Sequence, residues 1–207
     1  MPLIAPAGVF SCFTPARERA QAAASQQRQT EGRALGPLDG VRVSWKDVFD
    51  IAGTPTTCGS RVTPHAARTQ DAEVVARLAA AGAVCVGKTH LSEFAFSGLG
   101  ANPHFGTPRN PALPAGDERV CGGSSSGASA AVALGLCEIA VGTDTSGSVR
   151  VPASFTGLAG FRASSGRYPT AGLWTLSPTL DSIGLLAHRV DLIAAADAVL
   201  AGPVANE

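Results

Sequence analysis

Between Asp71 and Thr89 the chain changes its hydrophobic period, and this change constrains the fold more than any other feature. Residues Asp71–Ala81 (DAEVVARLAAA) place apolar side chains at helical spacing behind acidic residues in the first turn. Gly82 stops that pattern, and the β-branched run AVCVG follows at once. A helix that delivers the chain straight into a buried strand is the repeating unit of layered α/β folds. Other segments agree. Residues 14–29 are rich in helix formers, with Thr14 as N-cap and Pro15 at the first helical position. A turn at Gly36–Gly40 leads into the alternating stretch VRVSWKDVFDI, which puts Lys46 at a strand end. His90–Ser97 reads as a short helix, and four prolines from Pro103 to Pro114 mark an extended loop. The turn CGGSSSG opens a small-residue helix through Ala128–Leu134, EIAVGTD reads as a strand ending in a second Gly/Ser turn, and Asp191–Leu200 is the last helix.

The 207 residues carry 16 Lys and Arg against 16 Asp and Glu, with 45% apolar residues. That balance predicts one globular domain over 1–207, with no global attraction to phosphate backbones or anionic lipid. A small neutral partner fits better than nucleic acid or membrane. The five cysteines are widely spaced and form no C-x-x-C pair, so neither a zinc knuckle nor a disulfide framework is expected. No basic segment precedes the apolar residues near the N-terminus, and no apolar run approaches the length of a membrane span. The expectation is a cytoplasmic protein without metal or cofactor; His65, His90, His104 and His188 lie in no ligand spacing.

Three motifs compete for the chemistry. Gly82 to Thr89 satisfies the phosphate-loop pattern G-x-x-x-x-G-K-[ST]. The intervening residues Ala-Val-Cys-Val are themselves the strand and follow a helix, the reverse of the phosphate-loop context. The alternative is a helix C-cap and a buried strand with Lys88 at its solvent end. Gly123–Gly127 matches the nucleophile elbow G-x-S-x-G around Ser125, but the preceding PAGDERVCG is polar and turn-rich where a buried strand is required. The third pattern joins Lys46 to two serine-bearing turns, GGSSSGASAA from Gly122 and GTDTSGSVRVP from Gly142.

This combination resembles the amidase signature family, whose Gly/Ser-rich stretch is followed by G-[ST]-D-x-G-G-S-[IV]-R-x-P. The segments around Lys46, GAVCVGKTHLSEFA, NPHFGTPRNP and TLDSIGLLAHRV are similar to the family too, giving a signature core at 36–190. The resemblance implies an α/β layered fold, a mixed β-sheet covered by helices on both faces, and a chain truncated at its C-terminus, since family members are considerably longer. It also implies hydrolysis of a linear carboxamide by a Ser–Ser–Lys triad. Ser148 would be the nucleophile, Ser124 the bridging serine after a cis peptide from Gly123, and Lys46 the base. A lysine can serve so only where its surroundings disfavour the ammonium form, so Lys46 should be buried. The oxyanion would meet backbone N–H groups of Thr145, Ser146, Gly147 and Ser148. Gly123, Ser125, Asp144 and Arg150 would support these turns, with Asp144 and Arg150 bracing rather than reacting.

Ser126 and Ser146 replace family glycines, which the backbone tolerates unless positive φ is required there. The resemblance implies a small-molecule amide substrate, with a homodimer or a complementing chain as the protein partner to look for. Two alternatives stay open. One is a glutaminase like the glutamine-hydrolysing component of tRNA-dependent amidotransferases, against which Val151 stands where that component usually has Gln. The other is an inactive truncated remnant.

Overall fold

The computed structural model describes residues 6–202. The outermost five residues at each end, including the start of the apolar N-terminal stretch that was weighed as a leader, lie outside the described residues. The expected strand–helix alternation is present. Six strands form one sheet: β1 (Phe10–Phe13), β2 (Arg42–Lys46), β3 (Val84–Thr89), β4 (Ile139–Asp144), β5 (Ala159–Arg162) and β6 (Ser182–Ala187). Their spatial order is β1-β3-β2-β4-β6-β5. The central β3, β2 and β4 are parallel, and β1, β6 and β5 add antiparallel edges. The sheet is therefore mixed, as the family resemblance implies.

Among the described residues five helices accompany it: α1 (Pro15–Thr30), α2 (Glu73–Ala80), α3 (Ser126–Ala133), α4 (Arg150–Thr156) and α5 (Val190–Ala201). Strand alternation divides the core into two layers. Val43 and Trp45 of β2, Ile139 and Val141 of β4 and Leu185 of β6 pack with Val75 and Leu78 of α2 and with Ile193 and Leu200 of α5. Val86, Ala140 and Leu186 point the other way, against Ala128, Ala131 and Val132 of α3 and Ala153 of α4. The small residues of α3 let it lie close to the sheet. A methyl on Gly127 would strike the backbone of Val9 and His90.

Several local expectations change. Thr14 does not cap α1 with its side chain; its hydroxyl donates instead to the carbonyl of Cys85 at 2.9 Å, tying the helix to β3. His90–Ser97 is not a helix beyond a single 3-10 turn at Glu93–Ala95, with Phe94 and Ala95 at positive φ. Its backbone bonds outward, Ser92 N–H to Ser124 O and Phe94 N–H to Cys58 O, so tertiary pairing replaces the helical ladder. Lys88 is not at a solvent end. It is fully buried and forms an ion pair with buried Asp47 at 2.6 Å, donating also to Pro55 O at 2.6 Å and Thr56 Oγ1 at 2.9 Å. All three of its donor positions are thereby matched.

Candidate active site

Parallel β2 and β4 are neighbours, with Trp45 opposite Val141, so Lys46 ends β2 and Asp144 ends β4 two residues further along, at the same edge of the sheet. In open α/β sheets this edge is where the connecting loops meet and ligands bind. Trp45 faces the α2 and α5 layer, so Lys46 at the next position projects to the side of α3. There Lys46 Nζ lies 2.7 Å from Ser124 Oγ and 2.8 Å from Thr143 Oγ1. A longer contact of 3.4 Å reaches the Thr143 carbonyl. Both Lys46 and Ser124 are completely buried. Burial pushes the Lys46 ammonium down from its ordinary 10.5 to about 7, against the pull of Asp181, Asp144 and Cys58. A neutral amine beside a hydroxyl can take its proton, and the downward shift brings that form within reach of neutral pH.

The peptide Gly123–Ser124 is cis. A Cβ on Gly123 would come within 2.7 Å of Gly100 Cα, so only glycine fits this turn. The two serine-bearing turns are joined directly, because the Ser125 N–H donates to the Ser148 carbonyl at 3.1 Å. Ser125 Oγ reaches the Thr143 carbonyl at 3.4 Å, which makes it a support of the turn.

Asp144 organises the second turn. Its carboxylate accepts from the N–H groups of Gly147 (2.7 Å), Val149 (3.1 Å) and Arg150 (3.2 Å). The Arg150 guanidinium adds a forked pair at 3.0 Å to each oxygen. Burial works to raise the Asp144 pKa, yet these donors outweigh it and hold the carboxyl below its usual range. The expected bracing by Asp144 and Arg150 is thus present in the geometry. One expected anion donor is changed: the Gly147 N–H is already given to Asp144, leaving Thr145, Ser146 and Ser148 as the more open members of the turn. Gly147 has φ of +131°, whereas Ser126 and Ser146 are not at positive φ, so serine fits both positions without backbone strain.

Ser148 is 9% exposed, enough to meet a ligand, and it lines a cavity of about 460 Å³ together with Gly123, Thr145, Ser146 and Gly147. Lys46 thus meets Ser124, and Ser148 shares the cavity with Gly123 and its own turn, while no hydrogen bond joins Ser148 Oγ to Ser124 among the described residues. Sequence reasoning missed Thr143, whose hydroxyl is the second partner of Lys46; its position one residue before Asp144 in the GTD triplet was the available signal. It also missed Asp181, which accepts from the Thr145 hydroxyl and from Leu176 N–H (2.7 Å) and Ser177 N–H (3.0 Å), closing the cavity rim.

The sequence profile of the amidase family matches residues 5–207. The chain belongs to the amidase family. It is 46% identical to 2-amino-5-chloromuconic acid deaminase of Comamonas testosteroni over 191 residues, 92% of this chain and 41% of that protein. It is also 46% identical to indoleacetamide hydrolase of Pseudomonas savastanoi over 150 residues, 72% of this chain and 32% of the relative. A component of the glutamyl-tRNA(Gln) amidotransferase of Cupriavidus taiwanensis is 46% identical over 172 residues, 83% of this chain and 34% of the relative. The solved structure of native peptide amidase from Stenotrophomonas maltophilia superposes with a TM-score of 0.82 at 34% identity, covering 96% of this chain and 40% of that one. The chain thus spans about two-fifths or less of the length of these relatives. The mixed sheet with helices on both faces is the amidase-family fold over that span. No helix among the described residues is long and apolar enough to cross a membrane.

Proposed function

We propose that this chain carries the acyl-transfer centre of an amidase that hydrolyses a linear carboxamide C–N bond. The observation that carries the reading is the buried Lys46 Nζ, 2.7 Å from Ser124 Oγ, beside the turn that presents Ser148 to the cavity. In this reading Ser148 Oγ attacks the amide carbon and gives its proton to Ser124, whose own proton passes to neutral Lys46. The negative oxygen of the tetrahedral intermediate is met by backbone N–H groups of Thr145, Ser146 and Ser148, with Gly147 held in register by Asp144. The C–N bond then breaks as the proton returns from Lys46 through Ser124 to the leaving nitrogen. Water attacks the Ser148 ester by the same relay, releasing a carboxylic acid and restoring the serine. No metal or cofactor enters these steps. The five cysteines are free thiols, which suits a reducing compartment such as the cytoplasm.

Intact-mass detection of labelling by a fluorophosphonate tests the proposal. A single adduct on the chain that is absent from Ser148→Ala and Lys46→Ala is the expected result. An adduct retained in Ser148→Ala, or none on the folded parent, refutes it. The identity to the amidotransferase component favours a second reading, in which the same centre hydrolyses glutamine and passes ammonia to a partner. Glutaminase turnover together with a stable partner complex would select it.

A further inference from the structure

Asp144 supplies the Ser148 turn with a backbone group as well as a carboxylate. Its carbonyl and the Thr145 N–H belong to one peptide, and in a planar trans peptide the two point in opposite directions. Whatever holds the carbonyl on one side therefore aims the N–H on the other. Arg162 holds it. Arg162 lies on β5 opposite Gly184 of β6, and its side chain reaches past β6 to the end of β4. Its Nε donates to the Asp144 carbonyl at 3.2 Å and its Nη2 to the Leu180 carbonyl at 2.8 Å, with Nη1 at 3.5 Å from the Ala163 carbonyl. The guanidinium thus gives its hydrogen bonds to backbone carbonyls, while Asp144 Oδ1 stands 3.7 Å away as a counter-charge.

The same two chain segments are joined a second time. Strands β4 and β6 are antiparallel with Asp144 opposite Ser182, so Thr145 and Asp181 face each other just beyond the ladder. There the Thr145 hydroxyl donates to Asp181, whose carboxylate also accepts from the N–H groups of Leu176 and Ser177. With Arg162 on the carbonyl and Asp181 on the side chain, the Asp144–Thr145 peptide has little freedom to rotate, and Thr145 lines the cavity beside Ser148. A cation on a carbonyl also polarises its peptide and makes the N–H a stronger donor. From this geometry we infer that Arg162 is a positioning residue for the reaction: by holding the Asp144 carbonyl it turns the Thr145 N–H toward the oxygen that becomes negative when Ser148 attacks. The inference deepens the proposed hydrolysis and rests on it. Donors fixed in advance act strongly because nothing has to reorganise as the charge forms.

Two readouts test it: the rate of fluorophosphonate labelling at Ser148 by intact mass, and the Thr145 amide proton in NMR spectra before and after labelling. Arg162→Gln removes the cation and should label about tenfold to a hundredfold more slowly than the parent, approaching the loss of one oxyanion donor. In the parent the Thr145 proton should move downfield as it meets the phosphonyl oxygen, and in Arg162→Gln it should move less. Arg162→Lys keeps a cationic donor within reach of one carbonyl and should recover part of the rate and part of the displacement. Arg162→Gln labelling at the parent rate, equal Thr145 displacements in the two adducts, or no recovery in Arg162→Lys overturns the inference. A Thr145 proton that stays in place in the parent adduct overturns it without any variant. Loss of the dispersed amide spectrum in Arg162→Gln would make Arg162 part of the fold rather than of the oxyanion peptide, with the same consequence. A parent that forms no adduct removes the hydrolysis reading itself, whereas an adduct combined with any of these results removes only the role of Arg162.

Discussion

Replacing Lys46 by methionine converts its burial into a measurable pH dependence of stability. The lysine is fully buried and its pKa is about 7 in the folded protein, against an ordinary value of 10.5 when unfolded. Between those values the unfolded chain holds more protons than the folded one, so stability rises with pH through this window. Below about pH 7 both states are protonated and the full cost of burying the ammonium is present, a few kcal/mol for a shift of this size. Above about pH 10.5 it vanishes. Integration from about pH 6.5 to about pH 9 predicts that the parent gains about 2–3 kcal/mol relative to Lys46→Met. Met also leaves the hydroxyls of Ser124 and Thr143 without their shared partner, but that loss is the same at both pH values and cancels in the comparison. Urea unfolding of both proteins at the two pH values gives the four free energies required. Parallel pH dependences, agreeing within about 0.5 kcal/mol, would show that Lys46 is not desolvated in the folded chain and would remove its standing as a base near neutrality.

The same titration should govern reactivity: the rate of fluorophosphonate labelling at Ser148 should rise with pH through an inflection near about 7 and level off above it, and a pH-independent rate would contradict the proton relay. Lys88→Ala leaves Asp47 buried without its 2.6 Å partner and should cost about 3–5 kcal/mol in urea unfolding, with the double change Asp47→Ala/Lys88→Ala costing less than the two single losses combined; simple additivity would show that the pair is not coupled. Gly127→Ala pushes a methyl into the backbone of Val9 and His90 and should destabilise by about 1–3 kcal/mol, visible as a lower thermal midpoint. An unchanged midpoint would mean that α3 stands farther from Val9 and His90.

The elements legible in the sequence are those whose pattern is local. The acid-led helical spacing before Gly82 and the β-branched run after it correspond to α2 and β3, and the small-residue run after the first Gly/Ser turn corresponds to α3. The strands β1, β5 and β6 carried no such mark. FSCF and AGFR are four residues long and join the sheet only through antiparallel ladders to β3 and β6. The helix α4 was hidden by Pro152, which lies in its first turn, where a missing N–H costs nothing. The opposite error came from HLSEFAFS, whose helical composition lost to backbone bonds with Ser124 and Cys58.

Through the resemblance of two serine-bearing turns and a lysine to the family motif, the sequence by itself marked Lys46, Ser124 and Ser148 as one candidate set with Asp144 and Arg150 beside it. Whether the lysine can act depended on information no local stretch contains. Two lysines, Lys46 at the end of β2 and Lys88 one residue before the end of the neighbouring parallel β3, are both fully buried. Lys88 meets the carboxylate of Asp47, whereas Lys46 meets the hydroxyls of Ser124 and Thr143. An ammonium surrounded by neutral hydroxyls loses its hydration without a direct counter-ion, which is the setting of Lys46. That difference arises because the sheet brings against Lys46 two segments that lie 78 and 97 positions away in the chain, so only the tertiary structure decided which partners each buried lysine meets.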